Sequence, residues 1–270
     1  MRERKKGEDL TTTLVVTGGS SGIGKEFIRQ YGNLTGIERV CNLSRSIPSG
    51  FTNFKQFTHI EADFADPASF AEARKQLLAY LETHHRNGEI LLLNNSGFGS
   101  FGLFDAVDVE RDAAMIEVNV KAPVVLTAEL LPMLKKFGGT VVNVASTAAY
   151  QPTPFFITYG ASKAFLAHWS LGLWRECQGS KVKVITVCPG PTSTAFFHNA
   201  GLREKPDGGR GMTVEKVVAI MIRAIRKDRP LVITGGMNRL IASIAQLLPK
   251  SWITRLAYRA IAAQKLGKAG

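Results

Sequence analysis

The 270-residue sequence is short of several things, and each shortage excludes a class of protein. It has three cysteines, Cys41, Cys177 and Cys188, far apart and without CxxC spacing. That argues against a disulfide framework or a zinc site and for a reducing compartment. No run of about 18 apolar residues occurs, so no membrane-spanning helix is expected. The opening "MRERKKGEDL" is charged, and no apolar stretch with a small-residue cleavage site follows it. Residues 1–10 therefore read as a solvated basic arm and not a signal peptide, and a cytoplasmic location is expected. His59, His84, His85, His168 and His198 show no metal-ligand spacing, so no metal is expected. His84 and His85 fall at a predicted helix end, where the dipole favours cations.

Acids are also scarce. Lys and Arg number 34 against 22 Asp and Glu, a net charge of +12 with a pI near 9.8. No nucleic-acid-binding motif accompanies the excess, so nucleic acid is not an expected partner. The charge reads as solvated basic surface plus cations for a phosphate-bearing ligand.

What is present is an alternation of short β-branched runs and longer helical stretches. Apolar residues make up 45% of the chain, enough for a sizeable core. Strands are expected at 12–18, 39–45, 57–63, 89–97, 138–146, 181–190 and 230–235. Helices are expected at 23–32, 67–85, 106–136, 155–177 and 213–227. Pro67 suits a first turn, and Pro123 and Pro132 should kink or punctuate the 106–136 stretch. The pattern predicts an α/β fold, a Rossmann-like doubly wound parallel sheet in three α/β/α layers over residues 11–235. Its ligands should sit at the C-terminal ends of the strands. A Gly-, Pro- and charge-rich stretch at about 190–212 reads as a lid. Residues 236–270 form a separate helical tail.

The stretch "TGGSSGIG" (17–24) lies between the first strand and first helix. Gly18, Gly22 and Gly24 would let the backbone turn and approach a pyrophosphate, while the helix N-terminus offers free N–H groups. Ser20 and Ser21 add hydroxyls. The second strand ends in "NLSRS", with Ser44 and Arg45 where an NAD enzyme usually has an acid. Arginine there matches a 2′-phosphate, so NADP(H) is favoured over NAD(H), which stays open. A solvated surface arginine is the plain alternative.

In "ITYGASKAF" (157–165), Tyr159 and Lys163 lie four apart on one helical face, with only small residues between them. Alone, that pair fits a core edge and solvent. Ser146, ending a strand, alone fits a cap. Their company decides otherwise.

Taken together, these motifs resemble the classical short-chain dehydrogenase/reductase family over about residues 11–235. They are collinear: "TGGSSGIG", Asp63 in "EADF", "NNSG" at 94–97, Asn119 in "EVNV", Ser146 in "VNVAS", "YGASK" at 159–163 and "PGPTST" at 189–194. The resemblance implies that Gly18, Ser20, Ser21, Gly22, Ile23 and Gly24 cradle the phosphates and Arg45 meets the 2′-phosphate. Asp63 would bond adenine beside Phe64, and Asn95, Ser96 and Gly97 would line the adenine-side ribose. Pro189, Gly190, Thr192 and Thr194 would contact the nicotinamide half. Asn119 would hold a water that relays protons to Lys163, and Ser146, Tyr159 and Lys163 would be the reacting group. Ser96 replaces the usual alanine. Ser21 stands where NADP-binding members are often basic, so only Arg45 argues for the phosphate.

Hydride transfer to a ketone leaves an alkoxide that needs a proton. Tyr159 would be the general acid/base, its pKa lowered by Lys163 and by the charge of oxidised nicotinamide. Ser146 would bond the substrate oxygen. The expected activity is an NADP(H)-dependent interconversion of a carbonyl and a secondary alcohol. A non-catalytic NADP(H)-binding regulator would not need Tyr159. An NAD-dependent or membrane-surface lipid-directed dehydrogenase stays open. Family members are commonly dimers or tetramers, which implies a homodimer or homotetramer.

Phe98, Phe101, Phe104, Phe155, Phe156, Phe196 and Phe197 are candidates for an apolar substrate wall, with Phe98, Phe155 and Phe196 foremost. The tail from 237 to 270 holds Arg239, Lys250, Arg255, Arg259, Lys265 and Lys268 and no acid. Leu240, Ile244, Leu247 and Leu248 recur at helical spacing, as do Ile253, Leu256, Ala257 and Ile261, with Pro249 dividing two helices. Such a basic amphipathic hairpin could lie on an anionic membrane, pack on the domain or form a subunit contact.

Overall fold

Continuous apolar strands need cover on both faces, and the computed structural model provides it. It describes residues 11–51, 56–202 and 211–266, without the side chains of 263–266. The predicted arm at 1–10, residues 203–210 of the predicted lid and the side chains of Lys265 and Lys268 lie outside the described residues. Seven strands form one sheet: β1 (Thr12–Thr17), β2 (Ile37–Ser44), β3 (Phe57–Glu61), β4 (Glu89–Asn94), β5 (Gly139–Val144), β6 (Val182–Cys188) and β7 (Leu231–Ile233). Every pairing is parallel, in the order β3-β2-β1-β4-β5-β6-β7.

In β1, Leu14 and Val16 point to one face and Val15 to the other, and all three are fully buried. Helices α2 (Pro67–His84), α4 (Ala122–Phe137) and α5 (Ile157–Glu176) lie on the Val15 side. There Leu77, Leu81, Leu126 and Leu130 fill the core. Helices α1 (Gly22–Tyr31) and α7 (Val214–Arg226) cover the other side with Phe27, Ile28, Val217 and Met221. The chain is a doubly wound three-layer α/β/α fold. Its strand order reverses between β1 and β4, which opens a crevice at their C-terminal ends.

The 106–136 stretch is helical and punctuated just before Pro123, as expected, but the form of the break was not expected. The stretch contains α3 (Val109–Ile116), a wide π-helical turn (Glu117–Lys121) and then α4. Within the turn, the Ala122 amide bonds the Glu117 carbonyl five residues back. Pro123 has no N–H to offer the Asn119 carbonyl, so an ordinary α-turn could not be completed there. Pro132 sits inside α4 without ending it.

In the lid region, the Ser193 amide donates to the Met212 carbonyl (3.0 Å) and the Met212 amide to the Pro191 carbonyl (3.0 Å). A short helix α6 (Phe196–Asn199) follows this paired base. After β7 come α8 (Gly236–Leu247) and α9 (Lys250–Leu266), divided at Pro249 as expected.

Candidate functional site

The crevice is a cleft of ≈ 2280 Å³ along the C-terminal edge of the sheet. That is more than double an ordinary small-ligand pocket of about 300–1,000 Å³, room for a dinucleotide and a second molecule. Gly18, Ser20, Ser21, Gly22 and Ile23 line it. Gly18 has φ +68, and a Cβ there would stand 2.8 Å from Ser96 Oγ. A Cβ on Gly24 would stand 2.4 Å from the Gly18 carbonyl. The turn therefore closes only with glycine at both positions. Ser21 starts α1 without a side-chain cap, and the first turn carries no acid. The turn thus joins bare backbone to a positive helix end, which fits a pyrophosphate.

Buried and half-buried polar side chains hold this turn in place. Asn95 Nδ2 donates to the carbonyls of Thr17 (3.0 Å) and Gly18 (3.1 Å). Thr17 Oγ1 accepts from the amides of Asn95 and Ser96. Asn42 Oδ1 accepts from the Gly19 amide at 2.9 Å, while its Nδ2 donates to Ser44 Oγ at 2.8 Å. Ser44 Oγ in turn donates to the Ser46 carbonyl at 2.9 Å. Asn42 was not a candidate from the sequence, although a polar residue in an otherwise apolar strand is a usable signal.

Arg45 is exposed at the cleft edge and forms no ion pair among the described residues. Lys25 lines the same cleft, its Nζ donating to Ser49 Oγ at 3.0 Å, on the loop that carries Arg45. This second cation follows the glycine motif directly and was missed. Asp63 and Phe64 line the cleft, and Asp63 Oδ1 accepts from the Ala65 amide at 3.0 Å.

The other predicted residues gather where β5 and α5 meet. Ser146 follows β5 and caps a 3-10 turn (Thr147–Tyr150), its Oγ accepting from the Ala148 amide. Tyr159 and Lys163 share a face of α5 and line the cleft. Lys163 is buried, and its Nζ donates to the Val144 carbonyl at 2.9 Å. It lies 5.9 Å from the Tyr159 ring centroid. A side chain on Gly97 would come within 3.2 Å of that Nζ. Asn119 is fully buried. Its Oδ1 accepts from the Phe98 amide (3.2 Å), and its Nδ2 donates to the Phe98 carbonyl and Ser162 Oγ (both 3.0 Å). The side-chain amide thus ties the π-turn to the loop after β4 and to α5.

Among the chain's own groups, burial dominates at the phenol. Burial pushes Tyr159 up to about 12, and a hydrogen bond from Ser146 offsets only part of that. Burial also pulls Lys163 down to about 8. Desolvation is the largest cause at both groups, so the chain's own groups hold Tyr159 as a neutral acid.

Pro189, Gly190, Thr192 and Thr194 line the far half. Asn238 packs against Gly190, where a Cβ would stand 2.1 Å from its Nδ2. Phe196 lies 5.0 Å from the Tyr159 ring and Phe156 6.1 Å, between centroids. Phe98, Phe101 and Phe197 also line the cleft. Phe155 and Phe104 are not among its lining residues. Phe155 has φ +67, which turns its buried ring between Phe101 (5.8 Å) and Tyr258 of α9 (5.2 Å). Phe104 is exposed to solvent. Ile241, Ala242 and Ile261 from the tail complete the wall instead.

Residues 12–205 match the family model described as short chain dehydrogenase. The chain is 32% identical over 197 residues to serine 3-dehydrogenase of Rhizobium radiobacter, covering 69% of this chain and 74% of that protein. Among solved structures, a short chain dehydrogenase from Burkholderia cenocepacia in complex with NADP superposes with TM-score 0.74 at 22% identity. The alignment covers 93% of this chain and 99% of that one. A short chain dehydrogenase/reductase from Burkholderia phymatum in complex with NAD gives TM-score 0.74 at 18% identity, covering 88% and 94%.

Proposed function

The chain belongs to the short-chain dehydrogenase/reductase family, and from that premise we propose an NADP(H)-dependent oxidoreductase that interconverts a carbonyl and a secondary alcohol on an apolar substrate. The observation that carries the reading is the meeting of Ser146, Tyr159 and Lys163 beside a glycine-lined phosphate cradle. A dinucleotide-binding regulator would need the cradle and not the phenol.

The glycine turn and the amides opening α1 hold the pyrophosphate. Arg45 and Lys25 meet the 2′-phosphate as two cations from different elements. Lys163, Pro189, Gly190, Thr192 and Thr194 hold the nicotinamide half. The bound nicotinamide supplies or accepts the hydride. Ser146 Oγ donates a hydrogen bond to the substrate oxygen and favours its developing negative charge. Tyr159, held neutral, gives its proton to that oxygen in the reductive direction. Asn119 holds a water leading to Lys163. Phe98, Phe156 and Phe196 exclude bulk water and select apolar substrates. The enzyme works as a homodimer or homotetramer, and exposed Ile116, Ile157 and Phe165 on α3 and α5 are apolar surface suited to such contacts.

Fluorescence titration with NADPH and NADH, followed by turnover of apolar ketones, tests this. Arg45→Ala and Lys25→Ala should each weaken NADPH about 10–100-fold and leave NADH unchanged. Tyr159→Phe should keep NADPH binding and lose about 10²–10⁴-fold in turnover. Binding with no turnover in the wild type would favour the regulator, and equal affinity for both cofactors would remove the role given to Arg45.

A further inference from the structure

Helix α8 is inside out for a water-facing helix. Its inner face carries Ala242 and Ala245, 3% and 1% exposed. Its outer face carries Leu240, Ile244 and Leu247, 54%, 46% and 84% exposed. A surface helix normally buries its leucines and shows its small residues. Here small residues allow close packing on the domain, and the large apolar chains are turned away from it. On α9, Trp252 and Leu256 are exposed at 61% and 56%, and exposed Arg255 and Arg259 share their side of the helix by spacing.

We infer that this C-terminal hairpin docks on the surface of an anionic lipid bilayer. Charge chooses the occupant. Residues 236–270 contain six basic residues and no acid, half of the chain's net +12. A second copy seated on the same face would bring cations against cations. Phosphatidylserine headgroups supply the missing anions, while acyl chains take up the leucines and Trp252. No helix among the described residues is long and apolar enough to cross a membrane, so the hairpin lies on the surface. Ile241 and Ile261 of the same hairpin line the cleft, so docking sets the cleft mouth against the lipid. The docking does not depend on the proposed reaction; entry of an apolar substrate from the bilayer does.

The full chain would be sedimented with vesicles of phosphatidylcholine alone and of phosphatidylcholine with phosphatidylserine. Binding to the anionic vesicles, weakened by salt and nearly absent with the neutral ones, is expected. Arg255→Glu with Arg259→Glu, and separately Leu240→Glu with Leu247→Glu, should each weaken partitioning about tenfold or more. None of these residues lines the cleft, so NADPH titration of each variant checks its fold and reads the enzyme proposal independently. Equal sedimentation with both vesicle types, or none with either, would overturn the inference. So would leucine variants that lower the assembly mass in light scattering while still binding vesicles, because the face would then belong to a second copy.

Discussion

Lys163 shows at the residue scale how burial sets the chemistry. In the unfolded chain its amine holds a proton to 10.5; in the fold it gives it up near about 8. Between those values the unfolded state binds more protons, so stability at this site rises with pH. Tyr159 has the opposite sign, because its raised pKa makes the fold lose stability above its ordinary 10.0. Lys163→Met removes only the first titration. The wild type should therefore gain on this variant between about pH 8 and pH 10, read by urea unfolding at each pH. A difference that stays flat across that range would mean that the ammonium is solvated in the fold.

The π-turn is the main lesson at the scale of elements. Asn119 fixes it to the Phe98 backbone and to α5 through three hydrogen bonds. Asn119→Ala would leave buried polar groups at Phe98 without partners. It should cost about 2–4 kcal/mol in chemical denaturation, a larger loss than an exposed substitution such as Glu82→Ala. The strands were legible because their apolar runs are nearly continuous, and α2 because Pro67 marks its first turn. The wide turn was not, because five-residue hydrogen bonding leaves no compositional mark and Pro123 gave only a hint. Ser146, Tyr159 and Lys163 could be picked out because motifs carry them. Ile241 and Ile261 could not, since tertiary packing alone brings them to the cleft, whereas Lys25 follows the glycine motif directly and could have been. Phe155 misled for the same reason: its partner Tyr258 lies on a distant helix.

Across the whole molecule, one cleft is lined by residues from Gly18 near the first strand to Ile261 in the last helix. A ligand that fills it should stabilise the fold as a unit. NADPH at about a hundredfold excess over its Kd should add about 2.7 kcal/mol. That should raise the melting temperature by several degrees in a thermal scan. NADH at the same concentration should give a smaller rise, and Gly24→Ala should abolish both, because its Cβ would strike the Gly18 carbonyl. A cofactor-induced rise retained in Gly24→Ala would place the dinucleotide elsewhere.

The relay from Gly19 through Asn42 and Ser44 to Ser46 gives the chain a modular selector. On the proposed reading, the cradle that would take the phosphates common to both dinucleotides is wired to the loop that would tell them apart. The discriminating side chain can then be exchanged without redrawing the support beneath it. An engineer who wished to retune coenzyme choice would keep Asn42 and Ser44 as a fixed chassis and vary positions 25 and 45.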